Sequence, residues 1–331
     1  MHARDARPEP MIIGEMVVDP PLVLAPMAGY TNLPFRLICR YGGAGLVVSE
    51  MVSARAFYYG SEKTEQIMRT CEYEHPVALQ VFGDTPELLY NSVTELEAAG
   101  ADIIDLNMGC AVPKVRKSGA GVELMADPDR GVACAAALVD AASVPVTVKM
   151  RAGMTDGDDS YLHLAARMVD AGVAAVALHA RTANQMMGGE ADWTHISRMV
   201  EAVDVPVIGN GDLHEPQQAV EMMEQTGCAG VMFARGALSR PWIFHQAAAA
   251  LAGRKIPDDP AIRGVMAVVL LHAQMLALEV GEQTAIHRIR GHMAYYSHGL
   301  PNATHLRREV QSVRSLQELL HTITAYVGSL R

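Results

Sequence analysis

The chain has 331 residues, half of them hydrophobic, enough to bury one large core and a smaller one beside it. Residues 1–10 are polar with two prolines and read as a flexible N-terminus without the apolar centre of a signal peptide, and no apolar run reaches membrane-spanning length. A cytoplasmic protein, a monomer with no membrane partner, is expected. Cysteines 39, 71, 110, 134 and 228 form no C-x-x-C pair, so neither a metal site nor a disulfide framework is predicted. The formal net charge is −10, but it is unevenly placed: residues 254–331 hold 9 Lys+Arg against 6 Asp+Glu, an excess of the sign that suits an anionic partner or a solvated helical face.

In chain order, eight short apolar runs alternate with helical stretches: Leu22 to Met27, Leu46 to Ser49, Val77 to Phe82, Ile103 to Asn107, Val146 to Arg151, Ala175 to His179, Val207 to Asn210 and Gly230 to Phe233. Helices are predicted at Pro86 to Gly100, Pro128 to Ala142, Ser160 to Gly172, Pro216 to Gly227 and Pro241 to Gly253, most with proline in the first turn and several with glycine at the end. Strands this uniformly apolar are covered on both faces, as in a parallel sheet. Eight such units over residues 11–252 predict an α/β fold, a (β/α)8 TIM barrel, rather than a doubly wound sheet. The Pro- and Asp-rich segment from Gly253 to Pro260 breaks the pattern. Beyond it, residues 253–331 predict a small all-helical domain with helices at Ile262 to Val280, Thr284 to Ser297 and Leu306 to Val327.

Chemistry in a barrel collects at the carboxyl ends of its strands. There stand the small residues of Ala25-Pro26-Met27-Ala28-Gly29, a polar Gln80 in an apolar run, and Asn107-Met-Gly-Cys110, which presents a thiol. Lys149, inside a buried strand, needs an anion or a pocket mouth. The later strands end in His179-Ala-Arg181, Asn210-Gly211-Asp212 and Ala234-Arg235-Gly236. Loops after strands seven and eight commonly hold a phosphate, so the set points to a phosphorylated cofactor across the mouth, although each turn alone is an ordinary βα connection.

The motifs Ala25-Pro-Met-Ala-Gly29, Leu79-Gln-Val-Phe-Gly83, Asn107-Met-Gly-Cys110, Val148-Lys-Met-Arg151, His179-Ala-Arg-Thr182, Ala191-Asp-Trp193, Gly209-Asn-Gly-Asp212 and Arg240-Pro-Trp242 together resemble the tRNA-dihydrouridine synthases, closest to the bacterial DusB type. His292-x-x-x-Tyr296, Gly299-Leu-Pro301 and Leu306-Arg-Arg308 extend the resemblance through the helical segment. It implies an FMN enzyme that reduces the C5–C6 bond of selected uridines in tRNA with NADPH. By it, Ala25, Pro26 and Met27 cradle the isoalloxazine, Gln80 and Lys149 bond its polar edge, His179 lies against it, Asn107 holds the flavin or uracil edge, and Asn210, Gly211, Asp212, Ala234 and Arg235 take the ribityl phosphate. Cys110 becomes the general acid that protonates C5.

Candidates for gripping RNA phosphates are Lys114, Arg116 and Lys117 after the thiol, Arg181 on the rim, and Arg288, Arg290, Arg307, Arg308 and Arg314 in the helical segment. The chain departs from the family pattern at Ala111, Ala183, Ala234 and Gly291, and Ala183 is expected to remove an RNA or phosphate contact. Two other readings stay open: an FMN oxidoreductase acting on a free pyrimidine, and a non-catalytic tRNA-binding protein.

Overall fold

A computed structural model describes residues 9–330, so most of the expected flexible N-terminus, residues 1–8, lies outside the described residues. The chain opens with an antiparallel hairpin of β1 (Met11–Ile13) and β2 (Met16–Val18). Eight parallel strands follow: β3 (Leu22–Leu24), β4 (Leu46–Val48), β6 (Val77–Phe82), β7 (Ile103–Asn107), β8 (Val146–Arg151), β9 (Ala175–His179), β10 (Val207–Asn210) and β11 (Gly230–Phe233). They pair in that order, and β11 returns to β3, which closes the TIM barrel. The two-residue β5 (Val52–Ser53) extends the ladder along β6 beyond the end of β4.

The helices between the strands are α1 (Leu33–Tyr41), α2 (Glu62–Met68), α3 (Pro86–Ala98), α4 (Pro113–Arg116), α5 (Glu123–Ala126), α6 (Pro128–Ala141), α7 (Ser160–Asp170), α8 (Thr194–Ala202), α9 (Gln217–Thr226), α10 (Arg235–Ser239) and α11 (Ile243–Leu251). A 3-10 turn over Ala54–Tyr59 precedes α2. The starts of α3 and α6 show why sequence marks them so clearly. Pro86 and Pro128 occupy first-turn positions where no N–H is needed, while Thr85 and Asp127 accept from the backbone N–H groups of Leu88 and Arg130.

Two strand readings are corrected. The first barrel strand stops at Leu24 instead of reaching Met27, because the Met27 carbonyl accepts from the N–H groups of Tyr30 and Thr31 and turns the chain. The hairpin is an addition. Met11, Ile13 and Val18 are buried against barrel-interior residues such as Val23, Leu46, Ile103 and Ile208, so β1 and β2 plug the amino-terminal end of the cylinder.

The helical region comprises α12 (Ile262–Val280), α13 (Glu282–Tyr296), α14 (Ala303–Ser312) and α15 (Leu316–Ser329). The expected single helix from Leu306 to Val327 is two. Val313 adopts an extended conformation, and Ser315 restarts the helix by accepting from the Glu318 N–H at 3.2 Å while Glu318 Oε2 accepts from the Arg314 N–H at 2.8 Å. A Ser-x-x-Glu cap of this kind is legible in sequence but easily lost inside a continuous helical period. A second correction concerns α12: its 19 residues, with a mean hydropathy of 1.5 over the most apolar stretch, do reach the length and composition of a membrane span. Here that helix packs on α1, α13 and α15, with His272 buried at its centre and bonded to Tyr296. One apolar core runs from the barrel helices into this region.

Replacing the cap tests the break. Ser315→Ala is expected to cost about 1 kcal/mol, seen as a lowered melting temperature and faster amide exchange in α15, with the barrel's own protection unchanged.

Candidate active site

The inward-facing positions of the barrel change character from bottom to top. Along β7 they read Ile103, Asp105, Asn107; along β8 Thr147, Lys149, Arg151; along β9 Ala175, Ala177, His179; along β10 Ile208, Asn210. Strand alternation places these side chains on one face, so the bottom of the barrel is apolar, and polar groups begin at the level of Asp105 and Thr147 and fill the carboxyl-end layer. Register then sets neighbours: Gln80 lies beside Asp105, Asp105 beside Thr147, Asn107 beside Lys149, and His179 beside both Arg151 and Asn210.

These groups are joined. Lys149 Nζ donates to Asn210 Oδ1 at 3.1 Å, and Asn210 Nδ2 donates to the Met232 carbonyl at 2.8 Å. Burial, with repulsion from Arg151, lowers the Lys149 pKa to about 8 despite the attraction of Asp105. Burial among Lys149, Arg151, Arg181 and Arg235 lowers that of His179 to about 2, so its ring is neutral. Burial raises Asp105, against the opposing pull of its bonds to Thr147 and Gln80 and the charge of Lys149.

Above this layer opens a cavity of about 370 Å³. Its lining contains Ala25, Pro26, Met27, Gln80, Asn107, Cys110, Lys149, His179, Asn210, Ala234 and Arg235, so sequence-predicted positions from seven strand ends do converge. Cys110 is partly exposed in its wall, and its backbone N–H donates to Asn107 Oδ1 at 3.0 Å. A small adjoining hollow is lined by Gly211, Asp212 and His214 together with Ala234 and Arg235. At Gly211 a Cβ would sit 2.6 Å from that of Ala191, so a side chain is excluded from this turn. The Ala191-Asp-Trp193 motif braces it: Ala191 N–H donates to Asp212, and Trp193 Nε1 to the Gly211 carbonyl at 3.0 Å.

Met51, Val112, Arg151 and Met187 also line the cavity and were missed. Arg151 ties two rim loops together, donating from Nε to the Gly109 carbonyl at 2.8 Å and from Nη1 to the carbonyls of Met186 at 2.7 Å and Thr182 at 3.1 Å. Its place two residues after Lys149, on the same strand face, is the signal that could have found it.

A wider groove of about 760 Å³ adjoins the cavity at Ala28 and Met51 and passes between Lys63 and Lys114 on the barrel and Arg288 on α13. Lys114, Lys117, Arg308 and Arg314 are exposed, and so is Arg116, although it pairs with Glu123 at 2.6 Å. Two helical-region arginines have internal partners: Arg290 donates to the Val313 carbonyl, and Arg307 to Ser297 Oγ at 3.1 Å.

The expectation that Arg181 grips RNA is overturned. Its side chain is 2% exposed, forms a two-point ion pair with Asp212 at 2.6 and 2.9 Å, and donates to the Gly188 and Gly189 carbonyls. Burial pushes Asp212 upward, but the Arg181 and Ala191 hydrogen bonds and the Arg235 charge hold it below the usual carboxylate range. Its carboxylate is therefore committed to these partners. Nor does Ala183 stand where a surface contact was lost: it is buried with Ala111 and Val122 in a small apolar cluster against Met154.

A closed parallel barrel with a thiol, a lysine and three amides around a cavity at its carboxyl end defines a barrel of the enzyme kind. The dihydrouridine synthase family model matches residues 23–329, and the chain belongs to that family. It is 40% identical over 330 residues to a probable tRNA-dihydrouridine synthase of Mycobacterium tuberculosis, covering 96% of this chain and 85% of that protein. To the tRNA-dihydrouridine synthase B of Xanthomonas campestris it is 34% identical, covering 97% of this chain and 96% of that one. Among solved structures, morphinone reductase shares the fold with a TM-score of 0.55 at 14% identity, over 78% of this chain and 93% of that one.

The Lys149 environment makes a pH prediction. An unfolded lysine titrates near its ordinary value of 10.5 and the folded one near 8, so between those values the unfolded chain binds more protons and this group's contribution to stability rises with pH. Subtracting the stability of Lys149→Met from that of the natural protein should give a difference that grows more favourable to the natural protein from pH 8 upward and is flat below. A pH-independent difference contradicts the depressed pKa.

Proposed function

We propose that this protein is an FMN-dependent tRNA-dihydrouridine synthase that reduces the C5–C6 bond of uridine in tRNA with NADPH, and that Cys110 is its general acid. The observation that carries this reading is the meeting of a partly exposed Cys110 with Gln80, Asn107 and Lys149 around one cavity. The names of the family and of the two relatives support the substrate.

The residues fit FMN. A cavity of about 370 Å³ with an adjoining hollow is in the range of small-ligand sites. The small side chains of Ala25, Pro26 and Ala28 leave room on one side, with Met27 next to them, while Gln80, Asn107 and Lys149 offer donors on another. Asn210, Gly211, Asp212, Ala234 and Arg235 surround the hollow, and Arg235, which pairs with Asp212 through one nitrogen at 3.1 Å, is less enclosed than Arg181 and keeps other donors for a phosphate. In this reading residues 11–252 form the FMN-binding barrel and residues 253–331 the tRNA-binding domain.

When bound, FMN would supply the redox chemistry, the passage of a hydride from NADPH to uracil C6. The chain's part is positioning and proton delivery. Lys149 would offer positive charge to the ring's polar edge, and neutral His179 would lie beside it without adding a further charge. Cys110 Sγ gives its proton to C5 and recovers one from water at the open mouth. The base must leave its stack to enter, which a tRNA loop makes easier. Lys114, Lys117, Arg288, Arg308 and Arg314 hold the phosphates along the groove and its flanks, with smaller parts for Arg116, Arg290 and Arg307 because of their internal bonds.

Cys110→Ala is expected to keep the yellow cofactor and NADPH oxidation while dihydrouridine formation, measured by mass spectrometry of tRNA nucleosides, falls by roughly 100-fold or more. Equal tRNA reduction by that variant removes the thiol from the mechanism. A colourless protein would count against the cofactor. Separately, tRNA affinity should fall with salt, and Lys114→Ala or Arg288→Ala should each reduce the slope of log K against log salt by about 1.

A further inference from the structure

Beneath the cavity floor runs a chain of hydrogen bonds with a fixed direction. Thr147 Oγ1 donates to Asp105 Oδ1 at 2.7 Å, and Gln80 Nε2 donates to Asp105 Oδ2 at 2.6 Å. Asn107 Nδ2 donates to Gln80 Oε1 at 2.7 Å, and the backbone N–H of Cys110 donates to Asn107 Oδ1 at 3.0 Å. All four side chains, those of Thr147, Asp105, Gln80 and Asn107, are buried. Both Asp105 oxygens accept, so Gln80 turns its amino group downward and its carbonyl toward Asn107. Asn107 must then turn its own carbonyl toward the Cys110 loop. The N–H of Cys110, which only donates, demands the same orientation from the other end.

We propose that Asp105 is a positioning residue for this site: it orients the cavity-lining amides Gln80 and Asn107 and, through them, holds the backbone that carries the Cys110 thiol. Asp105 does not line the cavity and acts through Gln80 and Asn107. A buried carboxylate is costly, and here it accepts from two donors with Lys149 close enough to favour its charge, an investment that a purely structural position could meet with an apolar side chain. The proposal rests on the synthase reading for the word site, but the orientation of the chain does not.

The direction of the relay can be reversed by exchanging its ends. Asn107→Asp alone sets acceptors on both sides of Gln80, which can then satisfy only one. Adding Asp105→Asn gives back a complete chain running the other way: the amide at 105 donates to Gln80 Oε1, Gln80 Nε2 donates to the carboxylate at 107, and that carboxylate still accepts from Cys110 N–H. In the purified flavoprotein, the double variant is expected to reduce tRNA about 10-fold faster than Asn107→Asp alone. Asp105→Leu should lower kcat by about 10-fold with KM for tRNA nearly kept.

A second readout needs neither flavin nor tRNA. Alkylation of Cys110 by iodoacetamide, followed by peptide mass spectrometry, should be about 3-fold faster in Asn107→Asp and in Asp105→Leu than in the natural protein, and return toward the natural rate in the double variant. If the natural protein left tRNA unreduced while alkylation followed this pattern, the synthase reading would fail and the relay would stand. Additive losses in the double variant, or one alkylation rate across all the variants, overturn the proposal. Should Asp105→Leu fail to fold, the exchanged pair still decides.

Discussion

The interior of a closed barrel is dry, so any polar atom set beneath its rim must find a partner there. This constraint governs the molecule. The apolar lower layers, plugged by Met11, Ile13 and Val18, remove water from below, and the polar layer survives only because its members satisfy one another. Gln80, Asp105, Asn107 and Thr147 come from three adjacent strands, and the parallel register alone brings them within reach. A slip of one residue on β7 would turn Asp105 and Asn107 outward and bring Ile104 and Leu106 in.

Two ion pairs, one fully buried and one with its carboxylate partly exposed, extend the same logic to the rim. Arg36 and Glu74, both with fully buried side chains, meet at 2.7 Å, and Arg36 also donates to the carbonyls of Thr31 and Arg69. It thereby fixes the turn that follows Ala25-Pro26-Met27. Arg181 and Asp212 do the same for the loops after β9 and β10. A fully buried pair such as Arg36–Glu74 adds little net stability relative to apolar replacements, but losing one partner costs about 3–5 kcal/mol. Their benefit lies in geometry: each guanidinium spreads several donors over carbonyls that have no strand or helix to bind them. Flexible loops thus become walls of definite shape.

Much of this was legible in the chain. The eight strands stood out as apolar runs, and the polar residues at their ends converge on one cavity as barrel topology requires. What stayed hidden depends on partners distant in sequence. Arg181 read as a rim cation because its partner, Asp212, lies 31 residues further on. Asp105 was not singled out, although its spacing to Asn107 and the matching positions of Gln80 and Thr147 held the clue. The hairpin escaped because two three-residue strands carry too little alternation to register as sheet. The α14–α15 break escaped for the opposite reason, a hydrophobic period that continues across it.

The helical region is placed by contact rather than by its linker. Phe35 of α1 lies against both His272 of α12 and His292 of α13, with ring centroids at 5.6 and 5.4 Å, and Tyr30 from the rim meets His292 and Tyr295 edge-on. Burial lowers the His292 pKa to about 4 and His272 well below its ordinary value, so both rings are neutral near pH 7 and pack as aromatic bodies. Tyr30 follows directly on the Ala25–Gly29 turn, and Arg288 stands one helical turn from His292 on α13. The seam that docks the helices therefore also sets the distance between the cavity and the cation across the groove. In the proposed reaction, the RNA strand meets a rim and a helix already held in register, so the path of its backbone, and with it the base that can reach Cys110, is selected before any chemistry begins.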